Sequence, residues 1–411
     1  MSSLTDTNSK LPPSRGLLLL VYLGFVLTGI ATTLLGPLLP TLAVQWGLND
    51  ARSGDFFLAQ FLGSLISVIV CGRLLRVRGF RFCFITGFAL IAIGLAALGR
   101  GIWIVGLVSV FIYGWGLGFS VGATNLWVSE SNPSRRAGAL SLVNFSWTVG
   151  ALAAPTIVSL ADRTQHIWLV IMALAATGCL LALAFSVSRF EADLAPGKND
   201  SVAEPAPSIL KMFSSQTALM FAVIFFLYVG TENSVSGWVA TYARRIQASQ
   251  NDLWALTPSF FWAGLLLGRL LLPIILRHVP DLKLLRASLI LAVTGCVLLL
   301  CAEKLAVVAA ACALCGAGLA GVFPIAMSHL SRHCGTENRE IAGVVLASGG
   351  LGGGVMPWFI GVASNLLGSL RAGLIIPLVG TISLLLITAF RSSLFSAYNG
   401  PAHSLRSEPD A

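Results

Sequence analysis

Long apolar runs, separated by short polar breaks, follow one another along almost the whole chain of 411 residues. A helix needs about 20 mostly apolar residues to cross a bilayer, and twelve runs come close to or exceed that length. Several exceed it clearly, which indicates tilt or an extension beyond the membrane. The pattern predicts an all-α polytopic membrane protein with spans at about 16–45, 53–72, 81–99, 102–129, 137–160, 167–188, 216–243, 253–276, 284–302, 305–330, 341–365 and 372–390.

Lysine and arginine predict the orientation of these spans, because both are enriched in cytoplasmic loops. With the amino terminus inside, 18 of the 26 lysines and arginines fall on the cytoplasmic side and 7 on the opposite side, while Arg269 lies within a span. Both termini are therefore expected in the cytoplasm. The chain is expected to be a multi-pass protein of a cell membrane, in particular of the bacterial inner membrane.

The amino-acid composition is also that of a membrane protein. Charged residues make up 10% of it and hydrophobic residues 56%, whereas a soluble domain usually carries about 25% charged residues. The net charge of +9 is interpreted as the orientation signal, so no nucleic acid is expected as a partner. The eight cysteines are spread through apolar segments and basic loops, which is typical of small packing residues rather than of a disulfide or metal framework.

The chain also shows an internal duplication. The polar stretch at 189–215 indicates a linker, and we predict a six-helix bundle at 1–190, a cytoplasmic linker at 191–213, and a second six-helix bundle with a short cytoplasmic tail at 214–411. Glycines recur between the halves at a nearly constant offset, which predicts two pseudo-symmetric bundles. The matches are Gly29 and Gly36 with Gly230 and Gly237 (+201), Gly63 with Gly264 (+201), Gly116 and Gly118 with Gly316 and Gly318 (+200), and Gly150 and Pro155 with Gly352 and Pro357 (+202).

Two six-helix halves and a short motif together carry a resemblance to the major facilitator superfamily. The stretch GRLLRVRGFRF, 72–82, is similar to that superfamily's loop motif G-x-L-a-D-r-x-G-r-k between spans two and three. Gly72, Gly79 and Arg81 match the motif, and Arg76 stands at its aspartate position. The resemblance covers nearly the whole chain and implies a transporter that alternates access around a central site.

Further stretches resemble one branch of that superfamily, the sugar-transporting branch of fucose permeases and sodium-glucose-type relatives. This resemblance implies a sugar as substrate. The stretches are NFSWTVGALAAP (144–155), YVGTENSVSGWVATY (228–242) and GGLGGGVMPWFIG (349–361).

Polar side chains within the spans mark a candidate substrate site. Asn125 in span four and Asn144 in span five lie on polar faces with i+3/i+4 spacing, and Tyr22 and Gln60 add polar groups from spans one and two. Amides and hydroxyls beside an aromatic platform suit a polyol, and Trp238 in span seven is a candidate platform. The alternative is that such groups only bond or pack across neighbouring helices. The resemblance to the sugar branch favours Asn125 and Asn144 as substrate-binding residues.

Glu232 is an acidic residue near the middle of span seven. A lipid-facing acid there costs about 2.5–3.5 kcal/mol, so Glu232 is expected to face a cavity. It could bind and release a proton, because a low dielectric favours the neutral carboxyl, or it could accept hydrogen bonds from sugar hydroxyls. The third interpretation is a permanent salt bridge to Arg269. The helical rise puts Arg269 about 24 Å from the outer end of span eight. This predicts that Arg269 lies too far from Glu232 for a salt bridge, and it places Arg269 at an inner gate.

Charged residues near the cytoplasmic ends of spans four, five, ten and eleven form a candidate inner gate, or are ordinary solvated charges. They include Glu130, Arg135 and Arg136, with Arg339 and Glu340 in the second half. The predicted gating and structural residues are Gly72, Gly79, Arg81, Glu130, Arg135, Arg136 and Arg269.

No motif for catalysis accompanies these features. The chain has no GxxxxGK[ST] or HExxH sequence, and GAGLAG at 316–321 lies inside an apolar span rather than after a strand. We therefore expect no enzymatic activity, cofactor or metal.

The sequence predicts a monomeric secondary transporter that takes up a small neutral sugar or polyol with a proton, or with sodium. The rival hypotheses are a proton-coupled efflux antiporter for drugs or metabolites and a nutrient sensor without transport, although the short linker and tail disfavour the sensor.

Overall fold

The computed structural model describes residues 15–132, 136–188, 190, 215–246, 252–334 and 339–395. Nearly all of these residues are helical, and no strand occurs among them. Short 3-10 helices lie at Asp252–Leu256 and Ser392–Phe395. The α-helices are Arg15–Thr33, Leu35–Trp46, Asp50–Ala97, Trp103–Ser131, Arg136–Arg163, Ile167–Val187, Gln216–Ile246, Thr257–Ile275, Asp281–Leu300, Leu305–Leu319, Val322–Cys334, Arg339–Leu367, Leu370–Gly373 and Ile375–Phe390.

Eleven helical stretches in the described part of the chain are long and apolar enough to cross a membrane. Helices satisfy their own backbone hydrogen bonds, as lipid requires, and apolar side chains such as Leu169 and Leu183 lie exposed on them. The stretches match every predicted span except span two, whose helical segment carries Asp50, Asp55 and Gln60. The predicted all-α polytopic fold is confirmed, and the helices are consistent with twelve spans, whose numbers we keep.

Spans two and three belong to the single long helix Asp50–Ala97, which is broken at Gly79. Gly79 has φ 76° and ψ 175°, a conformation that glycine adopts without the steric penalty of a side chain. The resemblance predicts a loop over 72–82, whereas the structure continues the helix up to this one glycine, so that part of the prediction is wrong. Gly72 and Arg81 are exposed on either side of the break.

The internal duplication reappears as matching close contacts between backbones. A β-carbon on Gly150 in span five would collide with the carbonyl oxygen of Val26 in span one. In the second half, a β-carbon on Gly352 in span eleven would collide with the carbonyl oxygen of Phe226 in span seven. Glycine at both positions therefore lets equivalent helix pairs approach closely, as small residues do in membrane proteins.

Spans four and ten match at a different offset from the predicted one. A β-carbon on Gly114 would collide with the carbonyl oxygen of Gln60, just as one on Gly316 would collide with that of Phe261. Gly114 therefore corresponds to Gly316 at +202, whereas the sequence pattern paired Gly316 with Gly116. The predicted register of these two spans is wrong by two residues, because glycine recurs at every second position there.

The helices of residues 15–190 meet those of residues 215–395 mainly along three pairs, which are spans one and seven, two and eleven, and five and eight. We call the end of the molecule that carries Asp50 the Asp50 end, and the opposite end the Gly79 end. The predicted orientation puts the Asp50 end outside the cell. The predicted linker at 191–213 lies outside the described residues, and the division into halves at 190 and 214 stays a prediction.

Candidate functional site

Glu232 is part of a hydrogen-bonded chain inside the protein. Its carboxylate accepts a short hydrogen bond from the hydroxyl of Tyr228, which lies one turn earlier on span seven. The Tyr228 hydroxyl accepts a hydrogen bond from Nη2 of Arg269 in span eight, at 3.1 Å. Only 8% of Glu232 and 2% of Tyr228 is exposed. These three residues form the Glu232 network, which joins spans seven and eight.

Arg269 and Glu232 make no direct salt bridge in the described residues, as predicted, but the prediction missed that Tyr228 links them. The helical rise compares backbone positions only, whereas the long side chains of Arg269 and Tyr228 close the remaining gap. Arg269 donates to the Tyr228 hydroxyl of this network, and its predicted role at an inner gate stays a prediction. Within the described residues Glu232 and Arg269 make no direct ion pair, so the Tyr228 hydroxyl bridges the two charges.

The strength of the Glu232 network depends on the charge of Glu232. Arginine only donates hydrogen bonds, and a tyrosine hydroxyl has one hydrogen to give. With Glu232 ionised, Tyr228 accepts from Arg269 and donates to the carboxylate, so the bonds at both ends are charge-assisted. A proton on Glu232 removes the charge assistance from the bond that its carboxylate accepts and removes the attraction between Glu232 and Arg269, whereas the bond from Arg269 to Tyr228 keeps its charged donor. The link between spans seven and eight is therefore weaker when Glu232 is protonated.

Gln60 has partners for both ends of its amide group. Its nitrogen donates to the carbonyl oxygen of Thr32 in span one at 2.9 Å, and its oxygen accepts from the hydroxyl of Tyr113 in span four at 2.9 Å. Gln60 is buried. In this structure it ties span two to spans one and four, and its predicted role in substrate binding stays a prediction.

Asn125 and Asn144 share no hydrogen bond among those of the described residues. Each side-chain amide donates to the carbonyl oxygen four residues earlier on its own helix, at 3.0 Å for Asn125 and 2.7 Å for Asn144. Asn125 lies almost one turn beyond Gly122, which faces Cys71 of span two. The face of span four that was predicted to line a cavity is therefore largely a packing face in this structure.

Asn144 lies in the part of span five that is nearer the Gly79 end. Asn144 and Ser141 are exposed, whereas Thr148 on the same face is buried. Helical spacing places this face between the side of span five that contacts Gly29 in span one and the side that contacts Ser259 in span eight. Asn144 therefore faces the interior of the helix assembly, and its role in substrate binding stays a prediction.

Trp238 and Tyr22 occupy different surroundings. Trp238 is fully buried, donates its indole N–H to the carbonyl oxygen of Pro357 at 2.8 Å, and lies 5.8 Å from the ring of Phe57. Tyr22 is partly buried against the core in span one. The contacts of Trp238 leave no ring face for a ligand in this state, and the roles of both residues stay predictions.

The predicted inner gate is described only in part. Glu130 is exposed near the end of span four, and Arg136 is the first residue of the span-five helix. Arg135 lies outside the described residues. The gate therefore stays a prediction.

The described cysteines lie apart from the Glu232 network. The sulfur atoms of Cys296 and Cys315 are 3.7 Å apart between spans nine and ten, where both residues are buried. Across the ranges that the structure describes, no group of three or more His, Cys, Asp or Glu side chains is arranged to hold a metal ion.

Sequence reasoning missed a cluster that closes the Asp50 end. Two nitrogens of Arg245 in span seven donate to the carboxylate of Asp50 in span two, with Nη1 2.8 Å from Oδ2, and the Ser364 hydroxyl of span eleven donates to the same carboxylate. We call these three residues the Asp50 latch. Beside it, Nε1 of Trp358 donates to Oδ1 of Asp55 at 3.0 Å. The sequence did place oppositely charged residues at span ends that were predicted to lie on the same side of the membrane. It does not show which of these residues contact each other.

The contacts between the two predicted halves define the state of this structure. The latch, the bond from Trp358 to Asp55 and the bond of Ser259 to the carbonyl oxygen of Leu152 all lie toward the Asp50 end. In the described ranges, no hydrogen bond or ring contact crosses between the halves near the Gly79 end. The Asp50 end is therefore the closed end.

Loss of the latch is expected to open the Asp50 end. Partial burial raises the pKa of the Asp50 carboxyl, but hydrogen bonds from Arg245 and Ser364 and the charge of Arg245 hold that pKa below its usual value. The stabilisation is therefore complete above the ordinary aspartate pKa of about 3.9 and is lost as the pH falls through the lowered value. Asp50→Asn or strong acidification should raise the open population about two- to fivefold, because a pair with an exposed partner is worth about 1 kcal/mol or less.

Spin labels at Thr164 and Glu303, which are exposed at the Asp50 end in different halves, report this opening as a longer distance. Exposed Cys179 and Cys301 are first replaced by serine. Arg244→Met is the matched control, because Arg244 lies over the ring of Trp254 and not in the latch. An unchanged distance distribution in Asp50→Asn at all pH values would contradict the prediction.

A sequence profile of the Major Facilitator Superfamily matches residues 21–357, which is most of the chain. The chain belongs to the Major Facilitator Superfamily. The resemblance that the sequence suggested is therefore confirmed, and this superfamily member is a multi-pass membrane transporter rather than an enzyme.

Individual members of the superfamily are similar over nearly the full length. The glucose/mannose transporter GlcP of Bacillus subtilis (strain 168) is 24% identical over 367 residues, which cover 85% of this chain and 88% of GlcP. The nucleoside transporter NupG has a TM-score of 0.74 at 13% identity, covering 93% of this chain and 100% of NupG. The E. coli fucose:proton symporter FucP has a TM-score of 0.61 at 21% identity, covering 91% and 98%. These two structures establish the fold.

Proposed function

We propose that this protein takes up a small neutral sugar or polyol together with a proton. The observation that carries the proposal is the Glu232 network, in which a buried carboxylate is linked through Tyr228 to Arg269. Ionisable residues inside membrane spans are expensive and tend to mark ion and substrate pathways. Because protonation of Glu232 weakens the link between spans seven and eight, proton binding alters the contacts that hold these two helices.

Alternating access supplies the rest of the mechanism. Residues 1–190 and 214–411 would rock against each other around a site near the middle of the membrane. The Asp50 end is closed in this structure, and the predicted orientation puts that end outside the cell. The structure then corresponds to the state that is open to the cytoplasm.

A Glu232 network with an ionised carboxylate would correspond to a transporter that has just released its proton to the cytoplasm. In the state open to the outside, a proton on Glu232 would weaken the hold of the network on Arg269. The guanidinium and the Tyr228 hydroxyl would then be available to a sugar hydroxyl. Proton and sugar would enter together because the first prepares the groups that bind the second.

The named activities of similar proteins support this substrate class. GlcP is a glucose/mannose transporter, FucP is a fucose:proton symporter and NupG is a nucleoside transporter. All of these substrates carry sugar hydroxyl groups. Hydroxyl groups need the mixture of donors and acceptors that Arg269, Tyr228 and Asn144 offer.

Uptake into proteoliposomes tests the proposal. Radiolabelled monosaccharides are offered with an inward proton gradient, an inward sodium gradient or neither, to the wild type and to Glu232→Gln. We expect the wild type to accumulate a sugar only with the proton gradient. Glu232→Gln should lose this accumulation but keep sugar exchange without a gradient, because glutamine fills the same space without titrating.

Glu303→Gln is the matched control, because Glu303 is exposed at the Asp50 end, and it should accumulate sugar like the wild type. Accumulation by Glu232→Gln would remove Glu232 as the proton carrier. Accumulation driven by sodium would replace the proton as the coupling ion. A wild type that moves no sugar but extrudes dyes would favour the efflux antiporter instead.

A further inference from the structure

We propose that Trp262 donates its indole N–H to a hydroxyl of the transported sugar, and that Trp147 and Trp262 together form the wall of the sugar site toward the Asp50 end. This inference rests on the proposed function and adds a specificity-determining residue to it. Its starting point is a contact between the two predicted halves, with Trp147 in span five and Trp262 in span eight.

The two tryptophans meet edge to face. Their ring centroids are 5.6 Å apart with an interplanar angle of 77°, which is a favourable aromatic geometry. The ring of Phe261 also lies edge to face with that of Trp262, with centroids 5.3 Å apart. Only 1% of Trp262 is exposed. The pair is thus a packed barrier, and each half of the protein contributes one of its rings.

The indole nitrogen of Trp262 stands out among the tryptophans that the structure describes. It is the one buried indole nitrogen there that lacks a hydrogen-bond partner, whereas those of Trp46, Trp238 and Trp358 donate to Gly101, Pro357 and Asp55. A buried tryptophan N–H usually finds a partner, and leaving one unpaired costs about 1–3 kcal/mol. An unpaired donor at the junction of two moving halves is explained by a ligand that occupies the site during part of the cycle.

The surroundings of the pair differ on its two sides. Toward the Asp50 end, the Ser259 hydroxyl donates to the carbonyl oxygen of Leu152 at 3.3 Å and lies 3.4 Å from the hydroxyl of Thr156, and these contacts close spans five and eight against each other. Toward the Gly79 end, Asn144 precedes Trp147 by three residues, almost one turn, and is exposed. The tryptophan pair therefore lies where the seam between the halves changes from closed to open.

Helical spacing connects Trp262 with the Glu232 network. Arg269 comes seven residues after Trp262, so both lie on the same face of span eight, about 10 Å apart along the axis. A sugar below the tryptophan pair would have Asn144 on one side and Arg269 on the other. Its C–H face would lie on an indole ring and its hydroxyls would meet the polar groups, which is how polar and aromatic groups divide a binding site.

A comparison of Trp262→Phe and Trp147→Phe with the wild type tests the inference, because phenylalanine keeps a ring and removes the N–H. Uptake of the transported sugar is compared with uptake of its monodeoxy analogues. Trp262→Phe should raise KM for the full sugar about two- to tenfold, as expected for one lost hydrogen bond, with little change in maximal rate. It should also transport one particular monodeoxy analogue as well as the full sugar. In that analogue the missing hydroxyl is the one that the Trp262 N–H would bind, and phenylalanine offers no such donor to either substrate. Trp147→Phe should keep that discrimination.

Trp168→Phe is the matched control, because Trp168 lies at the Asp50 end beside Gly99, and it should behave like the wild type. The discrimination ratio compares two substrates on one variant, so it does not depend on how much protein folds. The inference is overturned if Trp262→Phe discriminates against every monodeoxy sugar as the wild type does. That result is distinct from failure of the proposed function, in which the wild type itself transports no sugar.

Discussion

Gly150→Val and Gly352→Val are each expected to abolish most of the folded protein. A β-carbon at Gly150 would collide with the carbonyl oxygen of Val26, and one at Gly352 with that of Phe226. The colliding atoms belong to the backbone, so a change of side-chain rotamer cannot relieve them. Overpacking typically costs about 1–3 kcal/mol and sometimes more. About 1.4 kcal/mol already shifts an equilibrium tenfold, so we expect monodisperse protein to fall about tenfold or more.

Size-exclusion chromatography of a fluorescent fusion after detergent extraction measures this loss. Gly138→Val is the matched control, because Gly138 lies on the same helix as Gly150 and nothing would come within 4 Å of its β-carbon. It should elute like the wild type. Similar losses at Gly150 and Gly352 would support the duplication, whereas a normal profile for either would mean that its helix pair is not held by this contact.

These glycines also show how far the sequence predicts the fold. The apolar runs place nearly every helix, because spanning lipid leaves few alternatives to a helix of about 20 residues. The constant offset paired Gly150 with Gly352 correctly. It misplaced the partner of Gly316, because several glycines in span four fit almost equally well and only helix contacts distinguish them.

The candidate site was predicted less completely than the fold. Glu232 stands out because a carboxylate in an apolar run needs a reason to be there. The link of Arg269 to Glu232 through Tyr228 was missed because helical rise locates backbones and leaves out the reach of two long side chains. The bond between Arg245 and Asp50 joins residues 195 positions apart, and no local pattern indicates which charged ends meet.

Arg269→Met is expected to destabilise the protein and abolish transport. Methionine keeps the length of the side chain but leaves the ionised Glu232 without its cation. Removing one partner of a directly bonded, buried ion pair costs about 3–5 kcal/mol. Because the Tyr228 hydroxyl separates the two charges and Arg269 is only partly buried, we expect a smaller loss of stability, seen as a measurable fall in apparent melting temperature. Arg277→Met, on the exposed end of the same span, is the control and should change neither property.

Adding Glu232→Gln to Arg269→Met tests whether the unpaired charge of Glu232 causes the loss of stability. The double variant should recover most of the lost thermal stability, because no unpaired charge then remains buried. It should not restore proton-driven accumulation of sugar. Tyr228→Phe should fall between the wild type and Arg269→Met, since it removes the bridge and keeps both charges. If Glu232→Gln gives no recovery in the Arg269→Met background, Arg269 stabilises the protein by packing alone. The charge of Glu232 would then be free to change during transport without any help from Arg269.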